Sequence, residues 1–160
     1  MTAADDQVVE VRLLRLPVAI WARTQQHTDE LLREFVLIAQ QLHSDEEAAV
    51  PLPVRLTQLV DELSANYGAF SEEQVEQLFR AAASGEEELD LTYQVPAAAA
   101  GAARHLGDLL NEADEYCRSG EHLLTLETPA ELIRFREWYL EEFRQQIAGA
   151  APTPWPDYAG

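Results

Sequence analysis

Four prolines mark the starts of helical segments in this sequence. Pro17, Pro53, Pro96 and Pro129 each precede a run of apolar residues at helical spacing, and proline is favoured in the first turn of a helix because its missing N–H needs no partner there. A fifth, shorter run over 71–84 begins with a serine, a common N-cap residue. This periodicity predicts five helices. The first of them extends to about residue 42 and is either one long helix or two helices joined near Thr24. Its apolar positions are Trp21, Leu31, Leu32, Phe35, Ile38 and Leu42.

Two further segments, 7–18 and 86–96, alternate apolar and polar residues instead. Alternation with a period of two is typical of a strand that buries one face. The segment 122–128 is either a third strand or an extended connector. The predicted class is therefore α+β and predominantly helical, with about five helices and two or three short strands. The apolar positions of the two strands are Val9, Val11 and Leu13, and then Leu89, Leu91 and Tyr93.

A nine-residue pattern occurs twice in the chain. HTDELLREF (27–35) and HLGDLLNEA (105–113) both read His-x-x-acid-Leu-Leu-x-Glu-apolar, and they lie 78 residues apart. The match has three explanations: a duplicated ligand site, a duplicated scaffold, or the chance recurrence of residues that are common in helices.

The repeat predicts a domain organisation in two similar halves. The order strand, proline, helix, proline, helix occurs over 7–68 and again over 88–147, with the short helix 71–84 as an insert. We therefore predict one domain over residues 1–149, with a duplication as one origin of its halves. Residues 150–160 form a tail that contains proline and tryptophan and is predicted to be irregular.

Both copies of the pattern place a histidine and two acidic residues on one helix face. At spacings of i, i+3 and i+7, the three side chains fall within an arc of about 60°. A histidine with two carboxylates is a set of ligands that metal ions accept. The alternative is a solvated flank beside the apolar stripe of each helix. The candidate metal ligands are His27, Glu30 and Glu34, and then His105, Asp108 and Glu112.

Acidic residues greatly outnumber basic ones. The chain contains 29 Asp and Glu against 11 Lys and Arg, which gives a net charge of −18. Such a surface repels phosphate backbones and anionic lipid, so we predict no nucleic-acid partner and no membrane partner, whereas a basic protein or a metal ion would be tolerated. No apolar run approaches the roughly 20 residues that span a bilayer, and the N-terminal MTAADDQ lacks the apolar core of a signal peptide. We therefore expect a cytoplasmic protein.

Motifs for nucleophilic or phosphate chemistry do not occur in the sequence. The single cysteine, Cys117, excludes an intrachain disulfide, and its place near the C-terminal end of a predicted helix favours a packing role. Neither Gly-x-Ser-x-Gly, nor Gly-x-Gly-x-x-Gly, nor Gly-Lys-Ser/Thr is found. The sequence therefore predicts no catalytic residue and no cofactor, and it favours a protein that is not an enzyme.

Residues 56–70, LTQLVDELSANYGAF, resemble the start of an anti-sigma-factor kinase of the GHKL ATPase superfamily. In that superfamily a Glu and an Asn of this helix serve the Mg-ATP site, and Glu62 and Asn66 are the matching residues. The chain departs from the pattern afterwards, because no Asp-x-Gly-x-Gly and no glycine-rich lid follow. ATP binding is therefore not carried over to this chain.

A second resemblance covers nearly the whole chain. The segments LPVAIWARTQQHTDELLREF, NEADEYCRSGEHLLTLETP and FREWYLEEFRQQIAG, followed by PTPWP, resemble a small uncharacterised family of high-GC Gram-positive bacteria. Its members are associated with genes for anti-sigma kinases and their antagonists. This resemblance implies a role in stress responses or in the partner switching that controls sigma factors.

Three functional hypotheses follow. The first is a non-enzymatic interaction module that binds another regulatory protein or itself, a homodimer included. The second is a sensor or enzyme with a metal or small-molecule site between the two halves. The third is a degenerate nucleotide binder. Aromatic residues near the C-terminus support the first hypothesis because such side chains often anchor interfaces, although capping of the core by the tail would also explain them. These candidate partner-binding residues are Trp138, Tyr139, Phe143, Trp155 and Tyr158.

Overall fold

The computed structural model describes residues 7–41, 51–119 and 128–158. Its elements follow in the order β1 (Val8–Pro17), α1 (Val18–Gln41), α2 (Leu52–Tyr67), α3 (Glu72–Ala83), β2 (Glu88–Pro96), α4 (Ala99–Ser119) and α5 (Ala130–Ile147), with single 3-10 turns at Gly68–Phe70 and Trp155–Asp157. The predicted class, α+β and predominantly helical, is confirmed. The candidate third strand over 122–128 lies outside the described residues except for Thr128, and so does the side chain of Cys117.

The two strands form an antiparallel pair with a bulge in β1. Leu13 lies opposite Leu91, and the next paired core residue, Leu16, lies opposite Leu89. Two residues of β1 therefore face one residue of β2, which is the arrangement of a β-bulge. Strict alternation after Leu13 would have turned Arg15 toward the core. The bulge instead returns Leu16 to the buried face, where it is fully covered.

Arg15 occupies the bulge in a left-handed backbone conformation, with φ at 55°. Its backbone N–H donates to Asp90 Oδ1 at 2.7 Å, and its Nε donates to Glu88 Oε2 at 2.7 Å. The hydrogen bond from Arg15 lowers the pKa of the Glu88 carboxyl below its ordinary value. Hydrogen bonds to two carboxylates of β2 therefore hold Arg15 in a backbone conformation that costs about 1–2 kcal/mol for residues other than glycine.

We expect Arg15→Gly to be more stable than Arg15→Ala by about 0.5–1 kcal/mol. Both variants lose the guanidinium. Only glycine adopts the left-handed conformation without a steric cost, and this gain exceeds the entropy that glycine loses when the chain folds. Urea denaturation will measure the difference. The same two substitutions at Arg12, in the regular part of β1, provide the control. There the order should reverse, with the glycine variant less stable, and an unreversed order would contradict the role of the bulge.

Two apolar clusters form the interior. The sheet cluster joins the inner face of both strands to α5 and to parts of α1, α3 and α4. The helix cluster joins α1, α2 and α4. Buried members of the sheet cluster are Val11, Leu13, Leu16, Trp21, Leu78, Leu91, Tyr93, Val95, Ala103, Phe135, Trp138 and Phe143. Those of the helix cluster are Leu31, Phe35, Leu56, Leu59, Leu109, Leu110 and Ala113.

The order strand, helix, helix occurs twice, as β1–α1–α2 and as β2–α4–α5. The helix α1 packs against α2 and α5, and α4 packs against α5 and α2, so exchanging the two halves reproduces these contacts. Leu13 and Leu91, which face each other across the sheet, are 78 residues apart, the same separation as the repeated nine-residue pattern. A duplication would produce these relations, and it stays a hypothesis.

Candidate functional site

The apolar residues of the repeated pattern are core residues. Leu31 and Phe35 of the first copy and Leu109 and Ala113 of the second are all buried in the helix cluster. Leu31 corresponds to Leu109 and Phe35 to Ala113 in the aligned pattern. The pattern therefore contributes equivalent positions of α1 and α4 to one shared core, as a duplicated scaffold would.

The polar residues of the two copies of the pattern do not form one metal site among the described residues. Glu30 is exposed and accepts a hydrogen bond from the neighbouring Gln26 at 3.2 Å, while Glu112 pairs with Arg55 at 3.0 Å. His105 is exposed. Within the described ranges, no three His, Cys, Asp or Glu side chains are grouped so that they could hold a metal ion. Of the remaining candidates, Glu34 is half-buried on α1 and Asp108 lines a narrow polar cleft between α4 and α5.

His27 belongs to a network that connects α1, α4 and α5. The Thr128 hydroxyl donates to Asp114 Oδ1 at 2.5 Å, and Asp114 Oδ2 accepts from Arg136 at 2.6 Å. His27 Nε2 lies 3.0 Å from Thr128 Oγ1. Because the single hydroxyl proton of Thr128 is used by Asp114, the oxygen accepts from His27, whose Nε2 must carry the proton. That nitrogen is therefore a structural donor in this fold, with no lone pair to offer a metal ion.

We expect His27→Ala and His105→Ala to differ in their effect on stability. Loss of the hydrogen bond to Thr128 should lower the free energy of unfolding by about 1 kcal/mol, whereas His105 is exposed and its replacement should change it by less than about 0.5 kcal/mol. Urea denaturation of both variants measures this. Metal content of the purified double variant is the companion measurement, and a fall in bound metal would contradict the structural role of His27.

The candidate partner-binding aromatic residues lie in or against the sheet cluster. Trp138 is 0% exposed and Phe143 is 9% exposed, so neither offers its side chain to a partner in this conformation. The half-buried ones, Tyr139, Trp155 and Tyr158, pack against the same cluster.

The C-terminal tail is attached to the core by specific contacts. The Trp155 ring lies 5.6 Å from the Trp138 ring, and the Arg134 guanidinium lies over the Trp155 ring at 5.0 Å. Trp138 Nε1–H donates to the Thr153 carbonyl at 2.8 Å, and the Thr153 N–H donates to the buried carboxylate of Glu142 at 2.7 Å. The tail therefore supplies partners for two buried polar groups of α5.

A cavity of about 450 Å³ lies where the sheet cluster and the helix cluster meet. Tyr93 and Phe143 of the sheet cluster line it, as do Val60, Leu63 and Leu106, which pack against the helix cluster. Both halves of the chain therefore contribute to its surface. Gly68 and Phe70 of the turn also line the cavity, and so does Ser71, the first residue of the insert 71–84.

Small side chains of α4 leave this space open. Ala99, Ala102 and Ala103 line the cavity on the side of α4, where larger side chains would fill the gap toward α2. The alanine-rich start of this helix, PAAAAGAA over 96–103, was the sequence signal for the cavity. That signal could not reveal which elements would face the alanines.

Two tyrosine hydroxyls are the paired polar groups of the cavity. Tyr93 of β2 and Tyr139 of α5 both line it, and their hydroxyl oxygens are 2.9 Å apart. Burial raises the pKa of Tyr93 and of Tyr139 above the ordinary value of a tyrosine. Both phenols are therefore neutral near physiological pH and act as hydrogen-bonding groups. Sequence reasoning had assigned Tyr93 to a strand and had not identified it as a site residue.

No Asp, Glu, Lys, Arg, His or Cys is among the described residues that line the cavity. The other polar side chains there are amide or hydroxyl groups, those of Gln25, Ser64, Tyr67 and Ser71. A charged ligand would lose its hydration in this space without gaining an ion pair. The lining therefore favours a neutral molecule.

Glu62 and Asn66, the residues matched to a nucleotide site, are exposed on α2. Neither lines the cavity.

Comparison with protein-family models, with curated proteins and with solved structures found no significant match for this chain. In the part of the chain that the structure describes, no helix is both long enough and apolar enough to cross a membrane.

Proposed function

We propose that the protein is a non-enzymatic binding module that holds a small, neutral and largely apolar molecule in the cavity between its two halves. The observation that carries this proposal is an uncharged cavity of about 450 Å³ in a chain with 29 acidic and 11 basic residues. Ligand sites of proteins commonly have volumes of about 300–1,000 Å³ and mainly apolar linings. The proposal develops the sequence-based alternative of a small-molecule sensor.

The apolar lining of the cavity supports binding of an apolar molecule. The cavity is an open cleft of about 450 Å³ between two apolar clusters, so a ligand can enter it from solvent. Its apolar surface would be removed from water by an apolar ligand, with a gain of about 25 cal/mol for each Å² covered. A bound molecule would therefore also stabilise the packing of α2 against α4.

The chemistry of the lining supports binding over catalysis. General acid–base catalysis needs a group that exchanges a proton near neutral pH, and the raised pKa values of Tyr93 and Tyr139 remove both from that range. The described lining contains no other titratable side chain except Tyr67. These groups can orient a ligand by hydrogen bonding.

Titration with the neutral fluorophore 6-propionyl-2-dimethylaminonaphthalene tests the proposal. We expect saturable binding with a blue-shifted emission. Ala102→Leu puts a larger side chain into the cavity, and we expect it to weaken this binding by about tenfold or more. Gly101→Leu is the matched control, because this neighbouring helix position is exposed and a side chain there meets no neighbour within 4 Å. Equal binding to both variants, or none to the unaltered protein, would refute the proposal.

A second candidate function, binding of another protein, is favoured by the outer face of α3. Val75 is 40% exposed and Phe79 is 57% exposed, one helical turn apart. The exposed Glu72, Glu73 and Glu76 lie on the same helix. We propose that this face would bind a partner with an apolar anchor surrounded by basic residues. A regulator of sigma-factor partner switching is the class that the sequence resemblance proposes.

Recovery of partners by the tagged protein, identified by mass spectrometry, tests this second candidate. We expect a basic regulatory protein to be recovered by the unaltered chain and lost with Val75→Ser/Phe79→Ser. The control is Val36→Ser/Leu37→Ser, which alters exposed apolar residues of α1.

Light scattering across salt concentrations tests the alternative of a homodimer. Two copies of net charge −18 repel each other at low salt, so a dimer should form only at higher salt, where this repulsion is screened.

A further inference from the structure

The Tyr93–Tyr139 pair has one more hydroxyl proton than it uses. Each phenol carries a single O–H, and the contact of 2.9 Å between the two oxygens uses one of these protons. Among the described residues, neither hydroxyl has a second hydrogen-bond partner. One O–H, that of whichever tyrosine accepts, therefore has no acceptor among the residues that the structure describes.

Ring packing holds this pair in place. The Phe143 ring lies 5.0 Å from the Tyr93 ring and 5.4 Å from the Tyr139 ring, and Phe135 packs against Tyr139 at 6.2 Å. The two tyrosines come from different elements, β2 and α5, so their hydroxyls are positioned by the fold and not by a single loop. A donor that is positioned in advance gives a ligand orientation at little cost in conformational entropy.

The chemistry of the remaining proton defines the ligand that would satisfy it. A hydrocarbon would cover the hydroxyl and leave its proton without an acceptor, which is unfavourable in an apolar site. A carboxylate or phosphate would accept the hydrogen bond but would find no cation among the described lining residues. A carbonyl oxygen on an otherwise apolar molecule accepts the proton and remains neutral.

We propose that the Tyr93–Tyr139 hydroxyl pair determines the specificity of the cavity by donating one hydrogen bond to the carbonyl oxygen of an apolar ligand such as a ketone, an ester or an amide. This inference rests on the proposed binding function and names its ligand class. The two hydroxyls act as a unit. Either one can donate its proton to the other, and the hydroxyl that accepts then has its own proton free for the ligand.

A matched pair of ligands tests the inference. 2-Acetylnaphthalene and 2-isopropenylnaphthalene have nearly the same shape, but only the first has a carbonyl oxygen. Displacement of the fluorophore measures both affinities in the full-length protein. We expect the unaltered protein to bind the ketone about three- to tenfold more tightly than the hydrocarbon, as one neutral hydrogen bond allows.

Three variants separate the hydroxyl pair from the cavity. Tyr93→Phe/Tyr139→Phe should abolish the preference for the ketone and leave the affinity for the hydrocarbon within about twofold. Each single variant should retain part of the preference, since the remaining hydroxyl still carries its proton. Replacing both partners by rings of the same shape leaves no unpaired polar group, so the double variant should fold. Tyr67→Phe is the control, because Tyr67 also lines the cavity, and it should keep the full preference.

The outcomes distinguish this inference from the proposed function. Equal binding of both ligands by the unaltered protein would overturn the inference and leave the binding function standing. A preference that survives the double variant, or that is lost with Tyr67→Phe, would also overturn it. Binding of neither ligand would overturn the proposed function, and the inference with it.

Discussion

We expect truncation after Gly149 to lower the free energy of unfolding by about 3 kcal/mol. The expected loss combines the exposure of the core around Trp138, which Trp155 covers, with two hydrogen bonds to the Thr153 backbone, one of them to the buried carboxylate of Glu142. Truncation of buried aromatic side chains costs about 3–5 kcal/mol, and Trp155 is only half-buried. Urea denaturation followed by circular dichroism measures the change.

Point variants keep this test informative if the truncated chain does not fold. Trp155→Ala should reproduce more than half of the loss, whereas Pro156→Ala, at an exposed position of the same turn, should change stability by less than about 0.5 kcal/mol. Unchanged stability of the truncated protein, together with loss of a bound partner, would show that the tail is a docking segment and not a cap of the core.

We expect replacement of Asp114 by asparagine to lower the free energy of unfolding by about 3 kcal/mol. The Asp114 carboxylate pairs with Arg136 at 2.6 Å, and both side chains are largely buried, at 7% and 11% exposure. Removing one partner of such a pair leaves an uncompensated charge in the interior, at a cost of about 3–5 kcal/mol. The substitution also weakens the short hydrogen bond from Thr128. Urea denaturation is again the measurement.

Glu112→Gln is the matched control for Asp114→Asn. Glu112 is on the same helix and also pairs with an arginine, Arg55, but this pair is exposed to solvent and should contribute less than about 1 kcal/mol. The further substitution Arg136→Leu in the Asp114→Asn background should recover part of the loss, because no buried charge then lacks a partner. Similar losses from the buried and exposed pairs would contradict the importance of burial.

Local sequence patterns predicted the elements of this fold well. The alternation over 7–18 and 86–96 corresponds to β1 and β2, and the proline-started apolar runs correspond to α1, α2, α4 and α5. These predictions depend on which side chains can be buried within one element, and neighbouring residues contain that information. Bulges are harder to anticipate. The shift at Leu14–Arg15 follows from pairing with β2, where Leu16 is opposite Leu89.

The surroundings of polar residues were predicted less well. Threonine is a common N-cap residue and Thr128 precedes α5, yet α5 begins after Pro129 without a side-chain cap, and the Thr128 hydroxyl binds Asp114 and His27 instead. His27 and His105 are equivalent in the repeated pattern, yet one belongs to this network and the other is exposed. Pattern matching could not separate them, because the partner of His27 is Thr128, which is 101 residues away in sequence and precedes a different helix.

The sequence by itself determined the predominantly helical α+β class and the acidic character of the chain, because each depends on composition or on spacing within one segment. Only the tertiary structure decided where the polar groups find partners and where space remains. Tyr93 and Tyr139 are 46 residues apart in the chain, and their hydroxyls meet at 2.9 Å because β2 and α5 pack in the same cluster. The cavity beside them exists because the alanines of α4 face α2 across a gap that neither segment could specify alone.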